Sequence, residues 1–146
     1  MKKTLTAVAL SAAAALPVAA ERIEVPSAKP VAQTMDALEA AVTGAGARVF
    51  ARVDHAKGAA SVDLQMPQAQ TLIFGNPKLG TPAMQADLRA ALYLPLKVAV
   101  IEAEGGSVLI YDDPAQMLGG LDVPQDAAFV KMMQGALGKL TAKAAQ

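Results

Sequence analysis

VFARVDHAKGAASVDLQMPQAQTLIFGNPKLGTPAMQ, residues 49–85, is the stretch that decides how the rest of the sequence is interpreted. It opens with a β-branched and aromatic run and contains a second apolar run at residues 70–74, both typical of strands. It also holds His55, the only histidine of the chain, directly after Asp54. Between the second strand and a following helix we predict a seven-residue turn, residues 75–81. His55 and this turn form the candidate site.

Local signals around the candidate site predict two helix starts. Asp54 is placed to cap a short helix with His55 in its first turn, because a capping aspartate accepts a backbone N–H one turn on. The residues after His55 are small, so another backbone or a flat ligand can approach them. Thr81 and Pro82 are predicted to cap and open the next helix. Its predicted buried stripe is Met84, Leu88, Ala91 and Leu92.

The flanking sequence predicts further helices and strands. Pro30 suits a helix start, and Gly44 and Gly46 end that helix. Its apolar stripe is Val31, Met35, Leu38 and Val42, and a C-terminal helix repeats the pattern at Phe129, Met132, Met133, Ala136, Leu137 and Leu140. Predicted strands are residues 22–25, closed by Pro26, residues 47–53 with Val49, Ala51 and Val53 on one side, and a hairpin of residues 97–103 and 107–111. Asp113 and Pro114 predict a short helix.

This order of elements predicts an α+β domain spanning residues 21–146, with a mostly antiparallel sheet and helices packed on one face. The other face would expose apolar strand residues unless a second copy covered it. We therefore expect a homodimer through the sheet or its edge.

Composition excludes several classes of function. The 146 residues suffice for one domain, and the formal net charge is zero without a basic block, which argues against nucleic acid as a partner. No cysteine is present, which excludes disulfides, thiolate metal sites and a cysteine nucleophile. One histidine also makes an all-protein zinc site unusual.

Residues 1–20 match a secretory signal peptide. Lys2 and Lys3 precede an uncharged Ala/Leu/Val-rich run, and Val18 and Ala20 are small residues at positions −3 and −1 of a cleavage site. The run is shorter than the roughly 20 residues that span a bilayer. An uncleaved anchor is the alternative. We expect export to the periplasm or secretion, with no membrane span after cleavage.

Four segments carry a resemblance to a known family. They are FARVDH (residues 50–55), TLIFGNPKLGTPAMQ (71–85), LPLKV (94–98) and YDDP (111–114). Together they resemble the bacterial domain-of-unknown-function 302 family, from about Val31 to the end. The resemblance implies a compact α+β fold, commonly paired into dimers, and no agreed activity, although haem binding is associated with some members. The family often has an Arg-His segment after YDDP, which residues 115–123 lack.

His55 has two interpretations. As a structural histidine it would hydrogen-bond to backbone or a carboxylate near a strand end. As a haem iron ligand it would have Met66 or Met84 on the other side of the porphyrin, which would lie over the small residues after it. Haem is the one cofactor that the resemblance suggests, and no Cys-x-x-Cys-His is present for covalent attachment.

The turn at residues 75–81 imitates a phosphate loop, but the lysine that should follow the second glycine is missing. It is either a rigid connection or a weak anion site at a helix start. The predicted ligand-binding residues are Asp54, His55, Gly75, Asn76, Lys78, Gly80, Thr81 and Met84.

Three functions remain open on the sequence. The first is an exported small-ligand-binding dimer, with haem as one ligand. The second is a hydrolase-like enzyme with His55 as general base beside Asp54 and a nearby serine or threonine such as Ser61. The third is a structural or partner-binding domain. The sequence favours a non-enzymatic role, because no complete catalytic motif is present.

Overall fold

The computed structural model of the protein describes residues 22–146. The predicted signal peptide, residues 1–20, lies outside the described residues. Within the described part, no helix combines the length and the apolar character needed to cross a membrane.

Five strands and six helical segments make up the described chain. The strands are β1 (Arg22–Ser27), β2 (Arg48–Asp54), β3 (Ala69–Gly75), β4 (Leu96–Ala103) and β5 (Gly106–Asp112). The α-helices are α1 (Val31–Gly44), α2 (His55–Ala60), α3 (Pro77–Ala86), α4 (Pro114–Met117) and α5 (Ala128–Ala145). A 3₁₀ helix (Leu88–Leu92) follows α3.

The strands form one antiparallel sheet in the order β1-β5-β4-β3-β2. Helices α1 and α5 pack against each other and cover one face of it. Alternate residues of the three central strands point into this layer and are buried: Leu72, Phe74, Leu96, Val98, Val100, Leu109 and Tyr111. The predicted α+β class, with a mostly antiparallel sheet and helices on one face, is confirmed.

The helix stripes and the hairpin agree closely with the sequence. All four predicted stripe residues of α1 are buried, and α1 ends at Gly44 with Gly46 at φ +74°. On α5, Met133, Leu137 and Leu140 are buried, whereas Met132 is 52% exposed. Strands β4 and β5 join through a tight turn in which Gly105 has φ +78°, a conformation that glycine adopts without strain. The prediction that Met132 belongs to the buried stripe of α5 was wrong, because its side chain is exposed.

Strand β2 does not have the two faces that the alternating pattern predicts. A β-bulge falls between Val49, which pairs with Phe74, and Ala51, which pairs with Ile73. The extra residue, Phe50, therefore reverses the alternation, and Val49 lies on the helix-covered face while Ala51 lies on the open one. The prediction that Val49 and Ala51 share a face was wrong.

Helix α3 begins five residues earlier than the sequence predicts, at Pro77 and not at Pro82. Asn76 is its N-cap, with the side-chain oxygen accepting the Lys78 backbone N–H at 3.0 Å, and Pro77 occupies the first turn. Pro82 consequently lies inside the helix, where it removes one intrahelical hydrogen bond. Most of the predicted turn, residues 75–81, is helical.

The chain between α3 and β4 also differs from the prediction. Asp87 ends α3 and caps the separate 3₁₀ helix. The new helix is oriented so that Ala90 is buried, while Leu88 and Leu92 are each 78% exposed. The predicted continuous stripe through Leu88 and Leu92 was wrong.

Strand β1 is longer than predicted. It runs past Pro26 to Ser27, because an edge strand tolerates a missing N–H.

A buried hydroxyl cluster, Ser27, Thr34 and Ser107, ties β1, α1 and β5 together. Ser107 Oγ lies 2.8 Å from Thr34 Oγ1 and donates to the Lys29 carbonyl oxygen at 2.8 Å. Ser27 Oγ donates to the carbonyl of Ala145 in the last turn of α5, at 3.2 Å. Each hydroxyl has a partner, so the cluster carries no cost of unsatisfied burial.

Candidate functional site

The predicted site residues lie at opposite ends of the β2–β3 pair. Asp54 pairs with Gln70 at one end, and Arg48 pairs with Gly75 at the other. The strands are seven residues long, which separates the two ends by about 20 Å. The structure therefore does not bring His55 together with the segment at residues 75–81 within one chain.

His55 occupies the first position of α2, which Asp54 caps as predicted by accepting the Lys57 backbone N–H at 2.9 Å. The His55 side chain is exposed, and its Nε2 lies 2.9 Å from Thr71 Oγ1 on the open face of the sheet. A shallow depression nearby includes Asp54 and Met66 but not His55. The imidazole thus stands at the surface, beside β3, without lining this depression.

The structure does not enclose the exposed His55 side chain in a pocket for haem. An axial histidine offers one ring nitrogen to iron and donates the other to a partner. Here Thr71 Oγ1 contacts Nε2 and would be that partner, which leaves Nδ1 for iron. The ring is exposed, however, and Met84, one of the two methionines predicted as second ligand, lies at the far end of the sheet. Among residues 22–146, no group of three or more His, Cys, Asp or Glu side chains is placed to hold a metal ion.

The hydrolase-like arrangement is also incomplete. Ser61 Oγ donates to the Gly58 carbonyl at 2.6 Å, and Asp54 is committed to its cap. The hydroxyl that contacts His55 belongs to Thr71 instead. A base and a hydroxyl are in contact, but none of the interactions in the described chain joins a carboxylate to the ring to orient it.

At the other end, the start of α3 offers no backbone donor to an anion. Pro77 has no N–H, and the Lys78 N–H is used by the Asn76 side chain. The N–H groups of Leu79 and Gly80 both donate to the Asn76 carbonyl, at 2.9 and 3.0 Å. A phosphate loop depends on such groups being free, so the sequence similarity to one has no structural counterpart.

An apolar cavity of about 330 Å³ lies beneath α3 and is here called the α3 cavity. Its walls come from the end of β3, from α3, from the segment before β4 and from α5. The principal apolar side chains lining it are Phe50, Leu79, Met84, Leu94, Leu96 and Met133. Ligand pockets in proteins fall between about 300 and 1,000 Å³, which puts this one at the small end.

Two local features of the strands shape one wall of the α3 cavity. The β-bulge turns Phe50 out of the regular alternation, and its ring lies against Gly75. A Cβ built on Gly75 would lie 3.4 Å from Pro95 Cβ and 3.6 Å from Phe50 Cε2. Glycine at this position therefore lets the phenyl ring and Pro95 approach the strand end. Bulges commonly redirect a side chain beside a site in this way.

A cluster of ionic contacts fixes the 3₁₀ helix that precedes Leu94 and Pro95. The Asp87 carboxylate accepts the Arg89 backbone N–H at 2.9 Å and the Asp122 N–H at 3.0 Å, and its Oδ2 lies 2.6 Å from Arg89 Nη2. Hydrogen bonding from the Arg89 guanidinium, and then from the Asp122 N–H, holds the pKa of Asp87 well below its usual range. One wall of the cavity is thereby anchored.

A cation lies next to the cavity wall. The Arg48 guanidinium carbon is 5.3 Å from the centroid of the Phe50 ring, a cation–π distance. The other three arginines of the described chain, Arg22, Arg52 and Arg89, each form an ion pair with a carboxylate. Arg48 forms none within residues 22–146.

The structure brings together five of the eight predicted binding residues, Gly75, Asn76, Gly80, Thr81 and Met84, which all line the α3 cavity. Lys78 is exposed on the helix, and Asp54 and His55 belong to the other end of the sheet. The sequence analysis did not identify Phe50 and Arg48, because no glycine marks the bulge. It assigned Met133 to the core and not to a site. The one signal in the sequence for their contact was that Phe50 follows Arg48 by two positions at the start of a strand.

Comparison with known proteins gives sequence relatives in Brucella. The chain is 36% identical over 126 residues to proteins named fluoride-specific ion channel FluC 1, from Brucella suis and from Brucella abortus. The match covers 84% of this chain but only 49% and 46% of those proteins. The chain thus spans about half the length of the curated relatives it matches.

A solved structure and a family model cover the same region. The crystal structure of an uncharacterised conserved DUF302 protein from Bacillus stearothermophilus matches with a TM-score of 0.76 at 16% identity, over 84% of this chain and 97% of that one. At that identity, the match shows a shared fold. The family model described as domain of unknown function DUF302 matches residues 23–144, so the chain belongs to the DUF302 family.

Proposed function

We propose that this protein is an exported ligand-binding protein that holds a small apolar molecule in the α3 cavity. The observation that carries the proposal is the cavity itself, about 330 Å³ with walls that are mostly aliphatic and aromatic. Export is inferred from the signal-peptide pattern of residues 1–20. We propose binding here rather than at His55, because the imidazole is exposed and does not line the depression beside it.

The lining chemistry supports an apolar ligand. Met84 and Met133 are unbranched and adaptable, so they can fit chains or rings of different shape. The backbone N–H groups in the first turn of α3 are occupied by the Asn76 side-chain and carbonyl oxygens. A ligand in the cavity would consequently gain affinity mainly from apolar burial, at about 25 cal/mol per Å² removed from water.

The Brucella relatives are compatible with the same ligand class. A domain of this kind makes up about half of polypeptides named as ion channels, which work in membranes. Apolar and amphipathic molecules are concentrated at membrane surfaces. A domain that binds such a molecule beside a channel is consistent with the cavity of this chain.

The test is binding of N-phenyl-1-naphthylamine, a neutral apolar fluorophore, to the wild-type protein and to Gly80→Leu. A side chain at Gly80 starts 3.9 Å from Leu94 Cδ1 and 4.0 Å from Met84 Cε, so leucine would extend into the cavity without a backbone clash. We expect about tenfold weaker binding or more, because the variant removes apolar contact equivalent to two CH₂ groups of about 0.8 kcal/mol each.

Gly138→Leu is the matched control. Gly138 lies on α5 with no atom within 4 Å of a built Cβ, and leucine raises helix propensity at both positions. We expect it to bind the fluorophore as tightly as the wild type does. The proposal fails if the wild-type protein does not bind the fluorophore, or if Gly80→Leu binds it unchanged.

We also propose that the protein is a homodimer through the open face of the sheet. On this face Ala99 pairs with Ile110, and Ile101 pairs with Val108, so apolar residues are contiguous across β4 and β5. Lys97 and Glu24 lie on the same face, so a copy related by a two-fold axis can place a positive group against a negative one.

Light scattering after size-exclusion chromatography tests the dimer. We expect twice the chain mass for the wild-type protein and the monomer mass for Ile101→Lys, because Ile101 is 37% exposed on the proposed interface. Val62→Lys changes a residue that is 64% exposed in the loop after α2 and serves as the control. A monomeric wild-type protein, or an Ile101→Lys dimer, contradicts the interface.

A further inference from the structure

We infer that the ligand of the α3 cavity is an amphipathic anion, an alkyl chain ending in a single carboxylate, whose head group binds Arg48. This inference rests on the proposed function and specifies the class of its ligand. It begins from the position of Arg48, whose guanidinium carbon lies 5.3 Å from the centroid of the Phe50 ring that lines the cavity. The Phe50 side chain therefore contacts the Arg48 guanidinium and also forms part of the cavity wall.

Charge complementarity gives the sign of the head group. Arg22, Arg52 and Arg89 contact carboxylates of this chain, with nitrogen–oxygen distances of 4.0, 2.6 and 2.6 Å, whereas Arg48 has no such partner within residues 22–146. A guanidinium presents paired N–H donors that match a carboxylate in a two-pronged geometry. Its contact with Phe50 holds the guanidinium plane beside the cavity without using a carboxylate.

The start of α3 is excluded as the site that binds the anionic head group. Its first-turn N–H groups are taken by Asn76, so the helix terminus does not supply the anion site. Lys78 on the same turn also has no carboxylate partner in the described chain, but it is exposed and does not line the cavity. Arg48 is consequently the group placed to set specificity for a charged head.

The apolar lining of the cavity determines the chemistry of the rest of the ligand. Phe50 is 51% exposed although it lines the cavity, so the cavity opens to solvent at this ring. A chain that enters past Phe50 can bury its methylene groups against Leu94 and Met133 while its head stays at the rim. An unbranched aliphatic carboxylate has this shape.

The experiment is displacement of N-phenyl-1-naphthylamine by dodecanoate, 1-dodecanol and dodecyltrimethylammonium, each below its micelle concentration. With wild-type protein we expect dodecanoate to compete about tenfold better than the alcohol, and the cation to compete worst, since a hydrogen bond to a charged group is worth at least one factor of ten. In Arg48→Met that preference should disappear while the alcohol competes as before. Arg48→Lys should keep part of the preference, because it keeps the charge and loses the planar fork.

Arg22→Met, the same substitution on the open face of β1, is the control and should leave the preference unchanged. Equal competition by dodecanoate and dodecanol in the wild type, or a preference that survives in Arg48→Met, overturns this inference. Both results leave the proposed function intact as long as the fluorophore binds and Gly80→Leu weakens it. Failure of the wild type to bind the fluorophore removes both proposals together.

Discussion

Replacing Gly106 by alanine is expected to destabilise the protein by about 3 kcal/mol, lowering its melting temperature by about 10 °C. Gly106 is the first residue of β5, directly after the hairpin turn. A Cβ there would lie 2.8 Å from the carbonyl carbon of Ala28 and 2.9 Å from its Cα, and closer still to the Ser27 carbonyl oxygen. These are backbone atoms, so no side-chain rotation can relieve the clash.

The clash also acts on the hydroxyl cluster. Ser27 and the Lys29 carbonyl belong to the segment that would have to move, and Ser107 is the next residue along β5. Displacing them leaves buried hydroxyls without partners, at a cost of about 1–3 kcal/mol for each group. Urea and thermal unfolding followed by circular dichroism measure the loss. Gly135→Ala, on α5 with open space around the new methyl, should be neutral or stabilising, and equal stability of the two variants contradicts the prediction.

Met133→Ala is expected to cost about 3 kcal/mol of folding free energy and to enlarge the α3 cavity. Met133 is 1% exposed, and it separates the cavity from the core on α5. Truncation removes its methylene and sulfur contacts on both sides. Met132→Ala is a matched control one residue away, since Met132 is 52% exposed and its loss should change stability by no more than about 0.5 kcal/mol.

A ligand should restore part of the stability that Met133→Ala loses. Binding at 100 times the dissociation constant stabilises a folded protein by about 2.7 kcal/mol, and an enlarged cavity accepts a bulkier ligand. We expect N-phenyl-1-naphthylamine to raise the melting temperature of Met133→Ala and to raise that of Gly80→Leu by less, because Gly80→Leu binds the fluorophore more weakly. If the fluorophore raises both variants equally, it binds outside the α3 cavity.

Much of the fold follows from sequence periodicity because single faces of α1, α5 and the central strands face one core. The stripe from Val31 to Val42 and the hairpin around Gly105 need no tertiary information. The start of α3 was mispredicted for a local reason. Asn76-Pro77 and Thr81-Pro82 carry the same cap-and-proline signal, and the first one starts the helix. Pro82 is tolerated inside α3 because the carbonyl it leaves without a donor, four residues earlier, belongs to the exposed Lys78.

The site was less predictable than the fold because it depends on register. His55 drew attention as a unique and chemically versatile residue, yet the pairing of Asp54 with Gln70 places it at the end of the sheet away from Gly75. Five predicted residues do line the α3 cavity, because they belong to one continuous segment. Phe50 joins them through the bulge in β2, with Arg48 against its ring, and no residue type in that strand predicts a bulge.

The two outermost strands have a consequence for how copies of this chain can meet. Strand β1 carries a proline with no amide hydrogen, and strand β2 is kinked at Phe50. Both devices discourage another strand from continuing the hydrogen-bond ladder sideways, which is the usual route to fibrous aggregates. Two copies can still pack sheet against sheet, whereas polymers formed by pairing the edge strands of successive copies are disfavoured.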